Sequence, residues 1–322
     1  MKAIERHSRL IAENLATWQL PDFPENLYEP LRYFLTIGGK RMRPVLTLMG
    51  AELFGEKAES ALHAAIGVEL FHNFTLIHDD IMDAAPLRRS KTTIHTKWNE
   101  NIAILSGDVL MVKAYEEICK QAPKHLFELM QIFNKTAIEV CEGQQMDMDF
   151  ETRANVEIPE YIEMIRLKTS VLLGGALEMG AIVAEASLED RELLYTFGQE
   201  LGLAFQIKDD YLDLYGDPKK FGKQIGGDVI ANKKTLLYLL ALEKANAQQI
   251  ETCRQLENEP DLLFKVENMR KLFDQLEIPA AAHKHMEAHF NKGMLALSKI
   301  SVKDENKKDL IDLSNYLMAR EN

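Results

Sequence analysis

Apolar positions recur at helical spacing along nearly the whole chain. Ile66, Leu70, Phe74, Ile77 and Ile81 form one such set; Leu201, Phe205, the stem of Lys208 and Leu212 form another. Each falls on one face of a 3.6-residue repeat, the mark of an amphipathic or buried helix. Alternating apolar and polar stretches bounded by turn residues, which would read as strands, are hard to find. Breakers separate the helical runs: LPDFPENLYEP at 20–30, IGGKRMRP at 37–44, DAAPLRRSK at 83–91 and LYGDPKKFGKQIGGD at 214–228. No Ser- or Gly-rich linker divides the chain. The pattern predicts an all-α fold of ten or more helices in one domain spanning 1–322, with functional loops gathered at one end.

Composition narrows the function. Of the 322 residues, 46% are hydrophobic, enough for a large core, and the net charge is -12. That charge excludes a general nucleic-acid binder, which needs a basic surface to neutralise phosphates. It does not exclude a phosphorylated substrate, because local lysines and arginines can override the global field. The three cysteines, Cys119, Cys141 and Cys253, show no metal-site or redox spacing and read as reduced thiols. The charged start MKAIERHSRLIAENLA lacks the apolar centre of a signal peptide. The most apolar stretch, VLLGGALEMGAIVAEA, is interrupted by Glu178 and is too short to cross a bilayer. A cytoplasmic protein that is not an integral membrane protein is the expectation.

Two acidic clusters interrupt the apolar pattern. LIHDDIMD at 76–83 and FQIKDDYLD at 205–213 each carry adjacent aspartates and a third three residues on. On a helix Asp79 and Asp83 share a face, which His72 and Leu76 continue toward the N-terminus; Asp209 and Asp213 do likewise, with Gln206 one turn back. Both clusters close apolar helical runs, where the helix dipole disfavours negative charge. Carboxylates concentrated there call for a cation. Hard oxygen donors suit Mg²⁺, which characteristically uses one or two carboxylates plus substrate phosphates. The pair reads as a split metal clamp for a diphosphate.

The basic complement of such a site is present. GGKRMRP supplies Lys40, Arg41 and Arg43 after a Gly-Gly turn, and PLRRSKTT supplies Arg88 and Arg89 just past the first cluster. RLKTS sets Lys168 beside Thr169, and FGKQIGGDVIANKKT adds Lys223, Lys233 and Lys234. Arginine forks grip phosphate oxygens bidentately, whereas lysines act as point charges.

Together these residues resemble the trans-isoprenyl diphosphate synthases, the polyprenyl synthetase family, in order and spacing from GGKRMRP through NKKT. The resemblance implies a bundle of mostly antiparallel helices around a deep central cavity, usually in a homodimer. It implies an isopentenyl diphosphate pocket at Lys40, Arg43, His72 and Arg89. Asp79, Asp83 and Asp209 become the ligands of Mg²⁺, three ions per site. Arg88, Lys168, Thr169, Gln206, Lys223 and Lys233 become contacts to the allylic diphosphate. Catalytic work falls to Asp79, Asp80, Asp83, Arg88, Lys168, Asp209, Asp210 and Lys223. CEGQQMDM resembles a further family segment and places Gln144 and Asp147 near the site.

The implied reaction joins isopentenyl diphosphate to an allylic diphosphate and releases pyrophosphate. Phe74 and Thr75, just before the first cluster, sit where the family sets product length. One large and one small side chain resembles synthases that stop at twenty carbons, with fifteen the alternative. A class I terpene cyclase is a rival, but its second metal motif mixes other residue types, whereas DDYLD is all aspartate. A phosphohydrolase would need more metal-binding histidines near HDD. An inactive partner subunit of a heteromeric synthase typically loses one acidic cluster, and here both stand.

Overall fold

Helices make up most of the described residues. The computed structural model describes residues 2–216 and 225–319. In order come α1 (Lys2–Thr17), α2 (Glu25–Thr36), α3 (Met42–Leu53), a short 3₁₀ turn (Ala58–Ala61) and α4 (Leu62–Met82). A two-residue-arm hairpin follows, β1 (Leu87–Arg88) against β2 (Lys91–Thr92), then α5 (Ile94–Lys97), α6 (Glu100–Ile118), α7 (Pro123–Thr152) and α8 (Ile158–Ile165). A π-helical turn (Arg166–Ser170) leads into α9 (Val171–Val183) and the long α10 (Leu188–Tyr215). The remainder is α11 (Gly227–Ile230), α12 (Leu236–Lys244), α13 (Ala247–Glu257), α14 (Leu262–Gln275), α15 (Ile278–Lys299) and α16 (Asp304–Ala319).

Local chemistry sets many of these boundaries. Asn99 caps α6 by accepting the Ile102 N–H at 2.9 Å, and Asp261 caps α14 by accepting from Leu263 and Phe264. Asn246 and Gln249 form a reciprocal capping box at the start of α13. The hairpin departs from the all-helical expectation. Its two turn residues, Arg89 and Ser90, have φ of 51° and 62°. Positive φ at both central positions is the geometry that a two-residue hairpin needs to match strand twist. Neither residue is a glycine or asparagine, so the sequence carried no ordinary sign of it.

The chain divides into two compact units. One comprises Met1–Asn134, Gly175–Arg191 and Val302–Asp309; the other comprises Lys135–Gly174, Glu192–Ser301 and Leu310–Asn322. In the first, α4 runs beside α6 and is apolar on most sides, so Ile66, Leu70, Phe71 and Ile77 are buried. The second is built around Tyr161, Met164, Ile207, Leu214, Leu237, Leu240, Phe273 and Met286. The helical set predicted along α10 holds: Leu201 and Leu212 are buried, and so is Lys208, whose Nζ donates to the Met318 carbonyl. Among the described residues no helix is long and apolar enough to cross a membrane.

Candidate active site

In the first unit α4 ends on the first acidic cluster, with Asp83 as its C-cap and the Asp83 N–H bonded to the Asp79 carbonyl at 2.8 Å. The three aspartates have different surroundings. Asp80 is 2% exposed, and Arg88 of the hairpin grips it: Nε lies 2.8 Å and 2.9 Å from the two carboxylate oxygens, and Nη2 lies 2.8 Å from Oδ1. Asp79 is half-buried and Asp83 exposed. The ion pair therefore anchors the hairpin to the end of α4 through Asp80, and Asp79 and Asp83 lie on the more open side of the helix.

The cations expected in this unit gather around His72. Gly38 and Gly39 take φ of 75° and 158°, and Arg41, at the N-cap of α3, takes 48°. A glycine at position 39 does two things. It permits a backbone region that other residues rarely enter, and it makes room for Arg89, whose Cζ would lie 2.7 Å from a Cβ there. Arg43, in the first turn of α3, donates from Nη1 to His72 Nε2 at 3.2 Å. Arginine has only donors, so this ring nitrogen accepts and the imidazole is neutral. Burial, followed by the charges of Arg43, Arg89 and Arg88, holds the His72 ring well below the usual histidine range. Burial also lowers Arg43, to about 10, against the opposing pull of Glu69 and Asp79. At neutral pH Arg43 stays charged. Lys40 is exposed on the same turn.

Phe74 and Thr75 lie one turn before Asp79 on α4. The Phe74 ring packs on His78 at 4.6 Å and on Phe71 at 5.8 Å, and it keeps partial exposure where Phe71 is wholly buried. Thr75 Oγ1 donates to the His72 carbonyl at 2.8 Å, which fixes the small side chain against its own helix.

The second unit holds a cavity of ≈ 500 Å³. Asp147, Tyr161, Lys168, Thr169, Gln206, Asp210, Asp228 and Lys233 all reach its wall. Lys168 and Thr169 ride on the π-helical turn, a distortion that is frequent at functional sites. Two glycines admit it: a Cβ at Gly143 of α7 would lie 2.7 Å from Lys168 Cα, and one at Gly202 of α10 would lie 2.8 Å from Ser170 Cα. Lys168 pairs with Asp147 at 2.5 Å, and Thr169 reaches Gln206 at 3.4 Å. Gln144 is buried with both amide atoms lacking a hydrogen-bond partner.

The second acidic cluster repeats the division of labour seen in the first. Asp210 is 6% exposed, accepts from Gln206 Nε2 at 3.1 Å and is the acceptor of the Tyr161 hydroxyl. Burial first, and then the charge of Asp228, pushes its carboxyl up to about 8, against the two hydrogen bonds. Asp209 and Asp213 are half-buried. Asp213 accepts the Asp228 N–H at 2.9 Å and so ties α11 to the end of α10. Among the described residues no group of three or more His, Cys, Asp or Glu side chains forms a ready-made metal cage.

The structure thus gathers Arg43, His72, Asp80, Arg88 and Arg89 in one unit, and Lys168, Thr169, Gln206, Asp210 and Lys233 in the other. Lys223 lies outside the described residues. Tyr161, Asp228 and Glu69 were not foreseen as site residues. Tyr161 precedes Lys168 by seven positions, two helical turns, and that spacing was the available sign. Lys234 also lines this cavity, and its Nζ donates to the Phe150 carbonyl near the end of α7.

Comparison with known proteins gives this arrangement a lineage. The polyprenyl synthetase family model matches residues 24–274. Geranylgeranyl diphosphate synthase of Methanosarcina mazei is 46% identical over 223 residues, 69% of each chain. Short chain isoprenyl diphosphate synthase of Methanocaldococcus jannaschii is 39% identical over 311 residues, 96% of this chain and 93% of that one. A crystal structure of geranylgeranyl pyrophosphate synthase matches with a TM-score of 0.94 at 44% identity, covering 99% of both chains. The chain belongs to the polyprenyl synthetase family. Within it, the chain is a trans-prenyltransferase of the short-chain type, with the all-α fold of that class.

Proposed function

We propose that the chain condenses isopentenyl diphosphate with an allylic diphosphate and that its main product is the twenty-carbon all-trans diphosphate. The observation that carries the reading is the matched construction of the two acidic clusters. In each, the second aspartate is buried and held by protein donors, Asp80 by Arg88 and Asp210 by Tyr161 and Gln206, and its neighbours remain more open. Such anchoring orients carboxylates that would otherwise repel one another at a helix C-terminus.

The donor set fits Mg²⁺. Asp79, Asp83 and Asp209 offer hard oxygen ligands, the kind of donor that suits an ion that keeps waters and shares phosphate oxygens. Three ions per site is part of the proposal. When bound, Mg²⁺ supplies neutralisation of the charge that develops on the leaving diphosphate. In this reading Lys168, Thr169, Gln206 and Lys233, with Arg88 and Lys223, orient the allylic diphosphate, and Lys40, Arg43, His72 and Arg89 hold isopentenyl diphosphate. The allylic carbon–oxygen bond breaks with its electron pair leaving on pyrophosphate. The isopentenyl double bond then forms the new carbon–carbon bond, and the departing pyrophosphate takes the released proton. The cation has to be kept from water until the double bond captures it. Phe74 and Thr75 limit the tail.

A single folding domain is supported by unit boundaries that cut through α7, α9, α10 and α16, with one more at Ser301–Val302 in the short connection between α15 and α16. A homodimer is supported by Leu105 and Val112, exposed on one face of α6 with Ile104 at its edge. Cytoplasmic location completes the proposal. Asp79→Ala and Asp209→Ala test its core. Each is expected to retain the helical circular dichroism of the parent and to lose at least about 10³-fold in turnover, the scale of several kcal/mol of lost charge stabilisation. Near-normal turnover in either variant would contradict the clamp.

A further inference from the structure

His78 precedes the first acidic cluster directly, yet the proposed reaction gives it no task. It lies on α4, four residues after Phe74, and shares a helix face with it. Its ring is held from α6. His78 Nε2 lies 3.3 Å from the Ile104 carbonyl oxygen and 3.7 Å from Asp108 Oδ1. A carbonyl only accepts, so Nε2 carries a proton and donates it there.

The ring fills a notch made by a glycine. Gly107 is buried in the interior of α6, a position where glycine destabilises a helix relative to alanine. A Cβ at 107 would lie 2.3 Å from His78 Nε2 and 2.5 Å from Cδ2, well inside van der Waals contact. Any larger residue there would drive the imidazole out. Phe74, in turn, lies between two rings along α4. Phe71, one turn before it, has its ring centre 5.8 Å away; His78, one turn after it, has its ring centre 4.6 Å away. Phe71 is wholly buried and set edge-on to buried Phe133 at 5.3 Å, so that side is close-packed interior and resists displacement. The His78 side is partly exposed and depends on the notch.

We propose that His78 is a positioning residue for product length: seated in the Gly107 notch, its ring holds the Phe74 ring where it stops the growing tail. The inference rests on reading Phe74 as the limit of the tail. Without the imidazole, Phe74 gains room on its only yielding side, and longer chains pass it.

The test compares product sizes from the full chain, His78→Ala, His78→Asn, Phe74→Ala and the double variant Phe74→Ala/His78→Ala. Each is incubated with Mg²⁺, labelled isopentenyl diphosphate and dimethylallyl diphosphate. Chromatography gives the ratio of longer products to the parent's main product, at whatever total rate remains, and Tm is recorded alongside. His78→Ala is expected to raise this ratio about two- to twelvefold, the factor to which loss of one ring pair corresponds. His78→Asn keeps a donor for the Ile104 carbonyl but no ring, and is expected to lengthen products likewise. Added to Phe74→Ala, His78→Ala is expected to change the ratio by less than about twofold, because the ring it positions is already gone. A lower Tm with an unchanged ratio in both His78 variants would mark His78 as merely structural and overturn the proposal. Shorter products would overturn it too, as would a parent-like ratio in His78→Asn, which would assign the effect to the hydrogen bond. A full His78→Ala effect that persists in the double variant would show that His78 does not act through Phe74, and would also overturn it. If His78→Ala does not fold, His78→Asn decides; if neither folds, the proposal fails. Phe74→Ala separates the two levels of the argument. An unchanged ladder there would refute the reading of Phe74 itself, whereas longer products there with unresponsive His78 variants would refute only the role of His78.

Discussion

Arg88 and Asp80 offer a perturbation whose size follows from their geometry. Asp80 is 2% exposed and depends on Arg88 for three contacts of 2.8–2.9 Å, whereas the Arg88 side chain keeps 24% exposure. Arg88→Ala leaves a buried carboxylate with no cation. Breaking a fully buried pair costs about 3–5 kcal/mol, and the partial solvation of this arginine reduces the expectation to about 2–4 kcal/mol. Asp80→Asn is milder, because Arg88 can turn its charge to water, and about 1–2 kcal/mol is expected for the lost charge-assisted bonds. The double variant carries no stranded charge, so its cost should fall below the sum of the two single changes by about 1.5–2 kcal/mol. In a chain of this size each kcal/mol moves Tm by about 2 °C. Thermal denaturation of the four proteins, followed by circular dichroism, therefore resolves the coupling as a shortfall of about 3–4 °C. Strict additivity would refute the reasoning, because it would mean that Asp80 does not need Arg88.

Two further outcomes follow from the first unit. His72 is held neutral, well below its unfolded value of 6.5. Between those two values the native state binds fewer protons than the unfolded state, so this contribution is fully present above about pH 6.5 and is lost as pH falls, by up to ~1.4 kcal/mol per pH unit. The Tm difference between the parent and His72→Asn should therefore narrow from pH 7.5 to pH 5, and a constant difference would contradict the assignment. Phe74→Ala removes a ring that is packed on His78 and Phe71 yet partly exposed. Chromatography of its products should show chains longer by at least one five-carbon unit, and an unchanged ladder in a folded variant would place the limit elsewhere.

The parts of the fold and site legible in the sequence were those encoded locally. Ile66, Leu70 and Ile77 announce α4 by spacing alone, and all three are buried. The acidic clusters stand out because each compresses its chemistry into five residues. Features that depend on contacts distant along the chain were hidden. Arg89 and Ser90 form a tight hairpin turn without the usual turn residues, and the π-helical turn at Arg166–Ser170 depends on Gly143 and Gly202 from other helices. Tyr161 and Glu69 look like ordinary members of helical runs. Only their neighbours, Asp210 for one and the arginine cluster for the other, mark them as part of the site. The difference between Asp79 and Asp80, adjacent and chemically identical, likewise appears only once Arg88 is seen to hold one of them.

Product sizing tests the central claim most directly. The purified chain is incubated with Mg²⁺, labelled isopentenyl diphosphate and, in separate reactions, dimethylallyl, geranyl and farnesyl diphosphates. The labelled products are then resolved by chain length. The account predicts Mg²⁺-dependent elongation that stops mainly at twenty carbons from every accepted primer, with pyrophosphate released in equal amount. Elongation that stops at fifteen or runs past twenty carbons would contradict the chain-length assignment at Phe74 and Thr75. No elongation of any primer by the folded protein would contradict the account as a whole.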